Sequence, residues 1–74
     1  MTEMLEIPWP VLERMVGDAF REFMFIGEVN GILLFKHVWT RRYLNVDRDG
    51  YTYRYAGGRY ERMPIAEALS HVLN

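Results

Sequence analysis

Seventy-four residues with a net charge of −1, half of them apolar and 15% aromatic, make one small α+β domain with no room for a second core. The absence of cysteine excludes disulfides and thiolate metal sites. No apolar run approaches the roughly 20 residues of a membrane span, and the acidic opening MTEMLEIPW is unlike the basic start of a signal peptide, so a cytoplasmic protein without membrane contact is expected.

Residues 1–9 read as a flexible arm, because Met1, Met4, Leu5 and Ile7 follow no period. Pro8 and Pro10 restrict the backbone and suit a helix that begins near Pro10. From there Val11, Leu12, Met15, Val16, Ala19, Phe20 and Phe23 fall on one side, and Glu13, Arg14, Asp18, Arg21 and Glu22 on the other. This spacing predicts one amphipathic helix through Phe23. Within it Gly17 costs roughly 1 kcal/mol relative to alanine, and Arg14 and Asp18 pair four residues apart.

After Phe25 the period changes to two. Ile26–Val29, Asn30-Gly31 and Ile32–Trp39 predict a hairpin, since Asn-Gly accepts positive φ at both turn positions. The second strand is apolar on both sides through Phe35, which places it centrally or against a partner. Thr40-Arg41-Arg42 changes direction, Tyr43–Val46 begins a further strand, and Asp47–Gly50 forms a turn. A two-residue loop at Asp49-Gly50 sets Val46 opposite Tyr53; a four-residue loop over 47–50 sets Leu44 opposite Tyr53. Either way Leu44, Val46, Tyr51, Tyr53 and Tyr55 share one side of the sheet. Gly57-Gly58 closes the next hairpin, with Tyr55 against Tyr60 and Arg54 against Glu61. An apolar and aromatic side (Leu44, Val46, Tyr51, Tyr53, Tyr55, Tyr60) is then expected on the long helix, with Tyr43, Asn45, Thr52, Arg54, Arg59 and Glu61 facing solvent. Pro64 starts a short C-terminal helix with Ile65, Leu69, Val72 and Leu73 as its stripe. The expected order is an N-terminal helix, an antiparallel meander of four to five strands, and a short helix.

Chemistry-bearing constellations are sparse. Asn45-x-Asp47-x-Asp49-Gly50 resembles the opening of a calcium loop, but position 12 is Ala56 in place of glutamate and strands flank it, so it reads as a turn. His37 and His71 lack metal-ligand spacing, and read as partly buried and exposed respectively. Ser70 is the sole serine and has no base at local spacing. Gly57-Gly58 is no phosphate loop, because no helix follows it. A non-enzymatic protein without metal, cofactor or small-molecule substrate is expected.

Charge is the remaining signal. Residues 1–40 hold three basic against six acidic side chains, whereas residues 41–62 hold six arginines against Asp47, Asp49 and Glu61. Polarisation of this kind bears on partners more than on fold. Interfaces enrich arginine and tyrosine, which singles out Arg41, Arg42, Tyr43, Arg54 and Arg59 as a contact surface with Trp39 as an apolar anchor. The expected function is non-catalytic protein–protein interaction, as an inhibitor or accessory factor of the kind phages and mobile elements carry, with a homodimer through Ile32–Trp39. The second reading is nucleic-acid binding by an arginine- and tyrosine-rich sheet face. With the tyrosines turned into the core and a pI near 6.1, it ranks below the first.

Overall fold

A computed structural model describes residues 8–74. Its elements are α1 (Trp9–Val16), a 3₁₀ helix (Gly17–Glu22), β1 (Phe23–Val29), β2 (Ile32–His37), β3 (Tyr43–Asp47), β4 (Thr52–Ala56), β5 (Arg59–Met63) and α2 (Ile65–Leu73). The strands form one antiparallel sheet in sequence order, an α+β meander as expected. Residues 1–7 of the expected arm lie outside the described residues. Trp9 does not belong to an arm: it opens α1 and packs its ring on Phe35 and Phe20, with centroids 5.5 and 6.1 Å apart.

The first helix is shorter than its apolar spacing implies. Gly17 has φ +63° and ψ −141°, a conformation open to glycine and strained for other residues, and its N–H closes the last turn on the Glu13 carbonyl. The chain then continues as 3₁₀ helix, and Phe23 is already extended, paired with His37. A helix and this turn both bring Val16 and Phe20 to the core, so periodicity did not separate them. Among the described residues Arg14 and Asp18 form no ion pair, because the helix ends between them.

The β1–β2 hairpin turns on Asn30 (φ 49°) and Gly31 (φ 84°), as the dipeptide requires. β2 lies second in the sheet with both edges paired, so its two-sided apolarity does not mark a free edge. Leu33, Phe35 and His37 point to the helices; Ile32, Leu34 and Lys36 point to the other side and are half-buried.

The core lies between one side of the sheet and both helices. Val11 and Leu12 of α1 and Ala68 and Val72 of α2 meet Phe23, Leu33, Phe35, Leu44 and Val46. Each such side chain stabilises by about 1.5–3 kcal/mol on burial. In α2 the buried line is Ala68 and Val72 with Leu69 beside it, whereas Ile65 and Leu73, expected in the stripe, are exposed. The C-terminal end of α2 is tied to the β2–β3 turn: the Thr40 hydroxyl donates to the Val72 carbonyl at 2.6 Å and Arg42 Nη1 to the His71 carbonyl at 3.1 Å. These bonds satisfy carbonyls that the helix itself leaves without partners.

Replacing Gly17 by alanine separates the two accounts of α1. In a continuous helix alanine would stabilise by about 1 kcal/mol; with φ at +63° it destabilises by about 1–2 kcal/mol. Thermal unfolding is expected to show a midpoint lower by roughly 4–8 °C per kcal/mol.

Candidate functional site

The candidate site is the sheet face opposite the helices, and a single register places its residues there. β3 pairs with β4 as Asn45↔Tyr53 and Val46↔Thr52, which leaves a three-residue loop, Arg48 to Gly50. Gly50 has φ 94° and its N–H bonds the Asp47 carbonyl at 3.0 Å. This is the three-residue hairpin in which a turn is followed by a glycine in the left-handed region. Loops of two or four residues had been expected. One residue of difference turns every side chain of β4 to the opposite side.

The expected division of the sheet is therefore corrected. Leu44 and Val46 do face the helices, but they share that side with Thr52 and Arg54. Thr52 is buried, and its hydroxyl donates to the Met63 carbonyl at 2.8 Å. Tyr51, Tyr53 and Tyr55 point away from the core, and Tyr60, paired with Tyr55 at a ring separation of 4.8 Å, points with them. Tyr43 joins from β3, so all five tyrosines of the chain occupy one face. β1 adds Met24 and Ile26 by alternation, and a bulge between Phe25 and Gly27 shifts the register so that Val29 joins them on this side. Among the described residues no element covers this face. It carries six of the nine exposed large apolar side chains among the described residues, Tyr55 being 61% exposed, so the exposure forms a patch.

Polar groups on this face are bound to one another. Asp47 Oδ1 accepts the amides of Asp49 and Tyr51, each at 3.0 Å, while Oδ2 accepts the Tyr53 hydroxyl at 2.7 Å. Burial opposes the charge on Asp47, but those three hydrogen bonds and the nearby Arg62 hold its pKa below the ordinary 3.8. The bond to Asp47 raises the Tyr53 phenol above 10.0, with desolvation adding and Arg62 opposing. The Arg62 guanidinium lies 3.8 Å from the Tyr51 ring centroid, and Lys36 Nζ lies 5.8 Å from that of Tyr43. At the margin Arg48 holds Glu28 in a two-pronged pair (2.7 and 3.4 Å), which lowers the Glu28 pKa.

The residues singled out from the sequence do not form one surface. Tyr43 belongs to the aromatic face. Arg54 and Arg59 lie on the helix side of the sheet, at the far end of the β4–β5 hairpin, and both reach Glu61, at 3.6 and 3.5 Å. The expected Arg54–Glu61 pair is present. Arg41, with φ 65°, and Trp39, 76% exposed, sit on the β2–β3 turn. Arg42 follows them and is engaged with α2. The signal that identifies Tyr51, Tyr53, Tyr55 and Tyr60 as surface residues was the glycine at the third loop position, which selects the three-residue hairpin.

His37 is buried where partial burial is expected. Its Nδ1 accepts the Thr40 amide at 3.2 Å, so Nε2 carries the proton and donates to Glu22 at 2.9 Å. Phe23 packs edge-on against the ring at 4.9 Å. Nδ1 thus holds the β2–β3 turn and Nε2 ties β2 to the end of the 3₁₀ helix, while His71 is exposed on α2. Among the described residues no cluster of three or more His, Cys, Asp or Glu could hold a metal ion, and no helix is long and apolar enough to cross a membrane.

In comparisons with known proteins the chain matches no family model, and no curated protein or solved structure is significantly similar to it.

The Asp47–Tyr53 bond has two pH limits. The depressed Asp47 pKa contributes stability that is complete above about pH 3.8 and lost as pH falls through the lower folded value. The raised Tyr53 pKa contributes stability that is complete below pH 10.0 and lost as pH rises through the higher folded value. Melting midpoints measured against pH are expected to show a flatter acid limb in Asp47→Asn and a flatter alkaline limb in Tyr53→Phe than in the wild type.

Proposed function

We propose that this protein is a small non-catalytic binding protein that engages another protein through its aromatic sheet face. The observation that carries this reading is the concentration of all five tyrosines with Met24, Ile26 and Val29 on a side of the sheet that no described element covers. A contiguous apolar patch on a small protein costs solubility unless a partner covers it. Tyrosine is favoured in such patches because each ring offers a large area with few torsions to immobilise and a hydroxyl for the rim. Tyr51 and Tyr55 are the central anchors proposed here, with Tyr43 and Ile26 beside them.

Several features weigh against catalysis. Among the described residues Asp47, Tyr53, Glu28 and Arg48 are the groups with shifted pKa values, and each is accounted for by a bond that closes the β3–β4 loop or ties it to β1. Cysteine is missing and Ser70 stands alone on α2.

Single-stranded nucleic acid is the second reading, favoured by the tyrosines themselves, since bases stack on exposed rings of an antiparallel sheet flanked by cations. Lys36 and Arg62 supply two cations on this face against one carboxylate, a thin phosphate-binding surface for a domain of pI near 6.1. The apolar side chains of β1 at its edge suit a protein surface better.

Capture from nuclease-treated lysate, quantified for wild type, Tyr51→Ala/Tyr55→Ala and Arg54→Glu/Arg59→Glu, tests the reading. The tyrosine variant is expected to bind its partner at least about tenfold more weakly, and the arginine variant to lose less. Retention by the tyrosine variant with loss by the arginine variant would move the interface to the helix side. A steep log–log dependence of binding on salt, in capture without nuclease, would identify nucleic acid as the partner.

A further inference from the structure

β3 and β4 are neighbours in the sheet, yet they share only the rungs Asn45↔Tyr53 and Val46↔Thr52 beyond the loop. Neither strand ends there. β3 remains paired with β2 as far as Lys36↔Tyr43, and β4 with β5 as far as Ala56↔Arg59. The sheet therefore divides into a three-stranded and a two-stranded part that diverge past the last shared rung, where Asn45 Nδ2 also reaches the Tyr53 carbonyl at 3.4 Å. In antiparallel pairing alternate residues direct their N–H and C=O to the same neighbour. Asn45 and Tyr53 use theirs across this junction, so two residues further on those of Tyr43 and Tyr55 point into the opening, where no shared rung joins them. A cleft of about 780 Å³ lies at this division.

We propose that this cleft receives an extended segment of the partner protein in which apolar and acidic residues alternate, its backbone taking up the ladder positions of Tyr43 and Tyr55. The proposal rests on the protein-binding reading above and supplies the chemistry of the partner. A polypeptide fits because the groups facing the opening are main-chain donors and acceptors spaced along a strand, which another strand matches. Alternation follows from the two walls. On one side the cleft meets Tyr53, Tyr55 and Tyr60; on the other it meets Arg42, Arg54 and α2. A strand inserted between them presents successive side chains to each in turn.

Acidic residues are selected by the charge of the second wall. Arg42 and Arg54 line this wall with Glu67; beside it Arg59 shares with Arg54 the one carboxylate of Glu61, and the Arg42 guanidinium bonds a carbonyl, so in and next to the wall three guanidiniums stand against two carboxylates. The whole stretch 41–62 carries six arginines against three acids. Electrostatic complementarity of this kind governs which partner docks and in which orientation.

Amide hydrogen exchange of the ¹⁵N-labelled full chain tests the proposal, with the capped hexapeptide (Val-Glu)₃ as probe and (Val-Lys)₃ and a backbone N-methylated (Val-Glu)₃ as controls. In the free protein the Tyr43 and Tyr55 amides are expected to exchange at least tenfold faster than those of Asn45 and Tyr53. The acidic probe is expected to slow both, the controls to leave them unchanged, and Arg54→Gln to weaken the response. Equal protection of all four amides in the free protein, or equal responses to the acidic and N-methylated peptides, would overturn the proposal. So would cleft shifts produced by an oligothymidylate and not by the peptide. Shifts confined to Tyr51, Met24 and Val29 would overturn the cleft site while leaving the protein-binding face intact; that face fails separately, by unchanged capture with Tyr51→Ala/Tyr55→Ala.

Discussion

The constraint on which the exposed half of this protein depends is the loop closed by Asp47. One carboxylate oxygen accepts the amides of Asp49 and Tyr51, the other accepts the Tyr53 hydroxyl, and the Asp47 carbonyl accepts the Gly50 amide. Together these hold three residues between the strands and exclude the two- and four-residue alternatives. Because side chains alternate with period two, that count decides the side on which every residue of β4 and β5 emerges. Thr52 goes inward and its hydroxyl is satisfied by Met63; the tyrosines go outward. An aspartate at the start of a turn thus determines the character of a face to which all five strands contribute.

The helix side explains why the other face can remain uncovered. α1 and α2 together bury one side of the sheet, with Phe35 and Leu12 fully enclosed and the Trp9 ring laid against Phe35. Both helices are short, nine residues or fewer, and contribute through packing more than through intrinsic helicity. The second half of the long apolar repeat is spent on the 3₁₀ turn and the start of β1, which supplies the edge strand and its row of Met24, Ile26 and Val29. Ending the helix at Gly17 is therefore what lets β1 begin at Phe23, ahead of the change of period after Phe25.

Where residues were grouped by composition, the grouping dissolved in three dimensions. Arg54 and Arg59 share a carboxylate on the helix side, Arg42 braces α2, Arg62 lies on the Tyr51 ring and Arg48 is spent on Glu28. Five arginines close in sequence thus have four different tasks. The tyrosines, which a loop of either even length would turn into the core, are the coherent surface. Gly50 at the third loop position carries the information, because a glycine there selects the three-residue hairpin.

Local chemistry determined most of the architecture. Asn30-Gly31 and Gly57-Gly58 accept positive φ and so mark hairpins, Pro64 starts α2, and period-two patterning marks strands, all within a few residues of chain. Arg54 against Glu61 and Tyr55 against Tyr60 followed from a two-glycine turn for the same reason. Only the tertiary structure decided where α1 stops, since Val16 and Phe20 reach the core by either path, and only it showed that α2 buries Ala68 in place of Ile65. It also decided which face the tyrosines take. That depends on how many residues the Asp47 loop contains, a quantity set by hydrogen bonds across the loop and by which side of the sheet the helices bury.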